Sequence, residues 1–235
     1  MSPLFPTTRR SVVLALASDD REERTRAFDT LVSLYWRPLY KYGRIASTHS
    51  PADCEDTTQS FFARLLENDA LSGYDPAKGG FRTFLRVLYD RHSANEVKAA
   101  GRLKRGGGQR QLEFADAEAE IAAEAPQTST PEEYFHREWV RSVFALAVDR
   151  LREETERAGK QTQFAIFEDY DLDHAGKLSY RDLAARFAIA ETSVTNHLAA
   201  MRKQFREIVL DILREATASE QEFRSEARAL LGVEP

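Results

Sequence analysis

The chain has 235 residues, a formal net charge of −5, 42% hydrophobic and 30% charged residues, and a single cysteine, Cys54. That is enough chain for one large or two small domains. It excludes a membrane span, because no run of about 18 apolar residues occurs, and one cysteine excludes an internal disulfide and a cysteine zinc cluster, so a reducing cytosol is the expected compartment.

Helical periodicity dominates and period-two alternation never persists, so the expected fold is all-α. The N-terminal apolar patch, Val12 to Ala17, lies behind Arg9 and Arg10 and runs into acids without a cleavage site. It reads as a short amphipathic helix over 8–17 rather than a signal peptide. A longer helix follows over 21–46, with Phe28, Leu31, Leu34, Tyr35, Leu39 and Tyr42 as its buried stripe and a bend or break expected at Arg37-Pro38. Ser50-Pro51-Ala52-Asp53 is a strong helix start: a capping serine, proline at the first position, a carboxylate at the third. That helix runs to about Glu67 and is expected to bury Phe61, Phe62, Leu65 and Leu66, with Cys54 as a small buried hydrophobe.

The loop from Asn68 to Gly80 is longer than a typical bundle connection. The next helix is expected from Phe81 to about Leu103, with Phe81, Phe84, Leu85 and Leu88 on its core face and Arg91, Lys98, Arg102 and Arg105 as a basic stripe. Charge is unevenly distributed here. Residues 82–110 hold eight Lys and Arg against two acids, and residues 111–133 hold seven acids and no Lys or Arg. A basic segment running into an acidic one is not the pattern of a uniformly solvated surface. Gly106-Gly107-Gly108 breaks the basic helix, and 106–131 reads as an acidic flexible linker with weak helical tendency.

The second half opens with a helix over about 131–158, with Phe135, Trp139, Val143, Phe144, Ala147 and Leu151 inward and Gly159 at its end. A short helix over 161–170 follows. The stretch from Ser179 to Phe205 reads as helix, tight turn, helix. Ser179 and Asp182 form a capping-box-like start, Ile189 points inward from the turn, and Val194, Leu198, Met201, Phe205, Ile208 and Ile212 form a buried stripe. On the other face lie Thr192, Thr195, Asn196, Ala199 and Arg202. Small residues, hydroxyls and an amide near a helix N-terminus suit a major groove, with Arg202, Lys203 and Arg206 placed for phosphates. A plain αα-hairpin accounts for the apolar spacing equally well. Against the DNA reading, Ala188 stands where such turns favour glycine, so the turn must strain or open. The tail over 215–235 carries Phe223, Ala227, Leu230 and Leu231, a small amphipathic helix that folds back or waits for a partner.

Other chemistry is weaker. The stretch from Asp171 to Asp182 has a calcium loop's glycine at Gly176, but Ala175 and Asp182 occupy positions where such a loop needs a ligand and a longer carboxylate. The five histidines show no metal spacing, and no nucleophile, Walker or dinucleotide motif occurs, so no catalytic residue, metal or cofactor is expected.

Three stretches together resemble a bacterial RNA polymerase sigma factor of the extracytoplasmic-function type, over about 8–105 and 130–214. They are Ala52 to Phe62, with its acids, Gln and aromatics; Phe81 to Arg105; and Leu178 to Phe205. The resemblance implies two small helical domains. The first, 8–105, would bind core RNA polymerase and melt the minus-ten element. The second, 132–214, would read the minus-thirty-five element through a helix-turn-helix, with 106–131 as linker and 215–235 as tail. It places core-polymerase binding on Asp53, Glu55, Asp56 and Gln59, where carboxylates meet arginines. It places minus-ten contacts on Tyr74, Arg82, Arg86, Tyr89, Arg91, Lys98 and Arg102, with Tyr89 and Tyr74 as stacking residues, and minus-thirty-five contacts on Thr192, Ser193, Thr195, Asn196, Arg202 and Lys203. The flipped-base pocket falls in the loop from Asn68 to Lys78. Asp90 is unexpected in a DNA-facing helix. The linker's acids mimic a nucleic-acid backbone in this reading, and a solvated tether in the plainer one. The implied partners are core RNA polymerase and promoter DNA, with an anti-sigma factor or a Ser/Thr kinase acting at Thr57 or Thr58 as regulatory options, no membrane, and a cytoplasmic location. Two other readings remain: a helix-turn-helix regulator whose first half is a sensor or dimerisation domain, and a sequestering partner that works through the tail and Asp90.

Overall fold

The computed structural model describes residues 15, 16, 18, 20–67, 71, 73–99, 112–123, 130–173 and 178–233. The described residues are all-helical, with no strand among them. Helix α1, Arg21–Ala46, is capped by Asp20, whose carboxylate accepts the Glu22 N–H at 2.9 Å. Pro38, expected to bend or break it, lies inside one continuous helix. Proline forfeits a backbone hydrogen bond there, but Leu34, Tyr35 and Leu39 around it are wholly buried, and that packing holds the helix through the defect. Helix α2, Pro51–Glu67, starts as its sequence predicts: the Asp53 N–H donates to Ser50 Oγ at 3.2 Å, and Ser50 Oγ donates back to the Asp53 carboxylate at 2.7 Å.

Helix α3 runs over Phe81–Ala99 after a single 3-10 turn at Pro76–Lys78. The expected extension to Leu103, with Arg102, Lys104 and Arg105, lies outside the described residues. The acidic linker is not simply a flexible tether: Ala115–Ala123 form a helix, α4, docked on α1. Helix α5, Pro131–Arg157, begins with a full capping box between Thr130 and Glu133. Helix α6, Gln161–Phe167, continues into a π-helical turn at Glu168–Leu172. Helix α7, Tyr180–Phe187, and helix α8, Glu191–Ala216, are joined by a three-residue turn. The tail forms α9, Glu220–Leu231.

The most extensive helix–helix contact is between α1 and α5, across the two halves of the sequence. Tyr42 of α1 packs edge-on against Phe135 of α5, with ring centroids 5.8 Å apart. One apolar core therefore runs from Leu31, Leu34 and Tyr35 through Phe81 and Leu85 to Trp139, Val143, Leu151, Leu198 and Ile212. Each such side chain removed from water contributes on the order of 1.5–3 kcal/mol. Gly43 of α1 leaves room for a side chain of α3: a Cβ there would lie 2.6 Å from the Tyr89 hydroxyl. Leu66 is not a core residue as its periodicity suggests but is 61% exposed, since α2 turns this edge outward. No described helix is long and apolar enough to cross a membrane.

The turn between α7 and α8 resolves the conflict at Ala188 by strain. Its φ of 53° and ψ of 45° place it in the left-handed region, the one non-glycine residue there among those described. Beyond it the Ile189 N–H donates to the Ala184 carbonyl at 3.0 Å, closing α7. A Cβ in this conformation costs ~1–2 kcal/mol, partly offset by the greater freedom glycine has when unfolded. Ala188→Gly is therefore expected to raise unfolding stability by about 0.5–1 kcal/mol. Urea unfolding at matched m-value checks this, and a loss of stability would mean that the methyl group packs usefully.

Candidate nucleic-acid and polymerase interface

The first turns of α2 present Asp53 and Asp56 to solvent, with Glu55 and Gln59 half-buried behind them. Carboxylates here also complement the positive end of the helix dipole. Cys54, between them, turns inward against Tyr40, Phe114 and Ala117, and burial raises its thiol pKa. The docked linker helix therefore abuts the base of the acidic turn. Thr57 and Thr58 are both buried, and the Thr58 hydroxyl donates to the Cys54 carbonyl at 2.7 Å. Neither hydroxyl is open to a modifying enzyme in this conformation.

The residues expected at the minus-ten surface divide into three groups. Tyr89 is 2% exposed, its hydroxyl 3.1 Å from Thr58 Oγ1 and its ring against Phe61. It is a core residue and not a stacking platform in this conformation, because α3 turns the Phe81, Leu85, Tyr89 line toward α1 and α2. Tyr74 and Arg82 lie beneath the tail. The Tyr74 ring packs against Phe81 and Phe84, and its hydroxyl pKa is pushed up to about 12 by burial and then by the carboxylate of Glu222. The Arg82 guanidinium lies over the Trp139 ring, 4.4 Å from its centroid, and pairs with Glu226 at 2.9 Å. Arg86 donates to Tyr42 Oη at 3.1 Å and pairs with Asp90 at 3.2 Å and Glu132 at 3.3 Å. Asp90 is thereby accounted for as an i,i+4 partner of Arg86. Of this set, Arg91 is exposed. Lys98 falls on the last turn of α3 but its side chain, like Arg102 as a whole, lies outside the described residues, as do Asn68 and other parts of the expected base pocket.

On α8, Thr192, Thr195 and Asn196 are exposed on one face with Ser193 half-buried beside them, while Val194, Leu198 and Met201 are buried. The α7–α8 pair thus presents the small polar face that its periodicity implies. Lys203 and Arg206 extend the same helix in solvent. Arg202 does not stand free: it forks onto the Asp171 carboxylate at 2.9 and 2.8 Å and lies 5.5 Å from the Tyr170 ring centroid. Asp171 and Asp182, two acids of the calcium-like loop, are engaged elsewhere, Asp171 with Arg202 and Asp182 on the Ser179 cap.

Two charged clusters escaped the sequence reading. Lys41, wholly buried, bridges Glu138 at 2.6 Å and Glu120 of the linker helix at 2.5 Å. Glu118 of that helix accepts from Tyr40 Oη and Arg44 Nε, each at 2.6 Å, and the Arg44 bond draws its carboxyl pKa down. Asp116, Glu118 and Glu120 of the linker helix are thus held by a basic row on α1, Arg37, Lys41 and Arg44. The second cluster is Glu222 and Glu226 on α9. A signal existed for each. Lys41 stands seven residues after Leu34 and Glu138 three after Phe135, both on apolar stripes, while Glu222 and Glu226 flank Phe223 at i,i+4 spacing. Compared with known proteins, the chain finds no match: no family model, no curated protein and no solved structure matches it.

Proposed function

We propose that this chain is a promoter-specificity subunit: it binds core RNA polymerase through the exposed first turn of α2 and reads promoter DNA through α3 and α8, as a cytoplasmic binding protein and not an enzyme. The observation that carries the reading is the pairing of two unlike surfaces in one chain. The α8 face of Thr192, Thr195 and Asn196 fits base edges. Asp53 and Asp56 on α2 complement the helix N-terminus, and as an exposed acidic patch they would repel phosphate but suit an arginine-bearing protein partner. Regulation by an anti-sigma factor or by a kinase fits the same frame; the latter requires the Thr57 and Thr58 segment to open.

Reconstituted transcription with core polymerase and a promoter library tests this. Asp56→Arg, at an exposed position, is expected to lower core-polymerase binding by on the order of tenfold or more, equivalent to ~1.4 kcal/mol, with helicity unchanged. Wild-type protein that ignores core polymerase would overturn the proposal. A second reading, a helix-turn-helix regulator with an N-terminal sensor or dimerisation domain, is favoured by the core shared between the halves. It predicts a stable homodimer on palindromic DNA without polymerase.

A further inference from the structure

The tail is bound across the surface that the proposed function assigns to the minus-ten element. Glu222 Oε1 accepts the Phe81 N–H, at the open end of α3, at 2.8 Å. Glu222 Oε2 accepts the Ala218 N–H at 3.1 Å and lies 3.5 Å from the Tyr74 hydroxyl, which also donates to the Gly79 carbonyl at 3.1 Å. One helical turn on, Glu226 pairs with Arg82, and both side chains are largely covered. Phe223 and Ala227 anchor the helix in the core, with Arg214 of α8 over the Phe223 ring at 4.4 Å. A helix N-terminus, an arginine and a tyrosine hydroxyl are the donors that commonly hold a nucleic-acid phosphate. Here all three face carboxylates of the same chain.

We propose that α9 is an autoinhibitory latch: in the free chain Glu222 and Glu226 occupy the α3 N-terminus, Tyr74 and Arg82, and promoter DNA gains these groups only when the tail is displaced. This rests on the proposed function above. The latch is suited to release. It is 12 residues long, a length that is marginal as a helix away from its docking surface, so displacement unfolds it. Its hold on α3 is electrostatic and competes directly with phosphate for the same donors, while Phe223 and Ala227 seat it on the core. It also ties the halves together, since α9 packs on α8 of the second half while its acids hold α3 of the first.

Two variants of the full chain loosen the latch from opposite sides. Glu222→Gln with Glu226→Gln keeps shape and removes charge. Gly80→Ala leaves the tail untouched but places a Cβ 2.7 Å from Glu222 Oε1, which displaces that carboxylate. With helicity by circular dichroism as the folding control, each is expected to give several-fold more open complex than wild type at a limiting concentration of protein with core polymerase and promoter DNA. Amide hydrogen exchange over 220–231 is expected to be slow in free wild type and fast in the polymerase–promoter complex. Initiation unchanged or lowered in both variants, or a tail equally protected in the complex, would overturn the latch while leaving the proposed function in place. A wild-type chain that forms no polymerase complex would overturn both.

Discussion

Glu138→Ala is expected to destabilise the fold by ~3–5 kcal/mol, the usual result of stripping one partner from a buried ion pair. Glu138 is 3% exposed and Lys41 is fully enclosed, their charged atoms 2.6 Å apart. Without Glu138, Lys41 keeps, among the described residues, Glu120, whose own side chain is 45% exposed and sits on the short linker helix. Arg141, the other partner of Glu138, is half in water and loses little. Replacing both partners by apolar residues removes the orphaned charge. Lys41→Met with Glu138→Met is therefore expected to recover at least ~2 kcal/mol relative to the sum of the singles. Urea unfolding of the four-member cycle measures this. Additive losses would show that the pair is not coupled and that each residue matters only for packing. The double variant is also expected to loosen the linker helix, because Glu120 then loses its buried cation; faster hydrogen exchange over 115–123 reports it.

What was legible in the sequence was whatever depends on local pattern. The capping serines at Ser50 and Ser179, the apolar stripe of α8 and the end of α5 near Gly159 follow from spacing and backbone chemistry, and the structure has them. What was not legible depends on which distant face each helix meets. Tyr89 carries no local sign that Gly43, 46 positions earlier, leaves a slot for its ring. The linker's helical tendency is weak by composition, and α4 forms because Arg37, Lys41 and Arg44 hold its acids and Phe114 packs against Tyr40. The polar face of α8 was legible and its Arg202 was not, since the bond to Asp171 spans 31 residues and a turn outside any periodic pattern. The expected division into two domains rested on the Gly-rich stretch, and composition says nothing about whether α1 and α5 then meet.

Trp139→Ala is expected to cost ~3–5 kcal/mol, by lost burial and the cavity left behind, and its pattern across the molecule bears on how the halves work together. Trp139 is 1% exposed on α5, at the contact with α1, and its ring carries the guanidinium of Arg82 from α3. Removing it weakens the second half, its seam with the first, and the seat of Arg82 at once. In the proposed function that seam has to open. Recognition elements some 25 base pairs apart lie roughly 85 Å apart on a duplex rising 3.4 Å per pair, whereas α1 and α5 are each only about 40 Å long. The chain has two tryptophans, so in Trp139→Ala the fluorescence of Trp36 reports the first half alone, and circular dichroism reports the whole. Because one core runs through both halves, both signals are expected to shift together to lower urea, as one cooperative transition. A Trp36 transition that stays in place while the circular dichroism curve splits in two would show instead that the seam contributes little to stability. The halves would then part at small cost, and the tail carboxylates on α3 would be the main restraint holding the first half to the second.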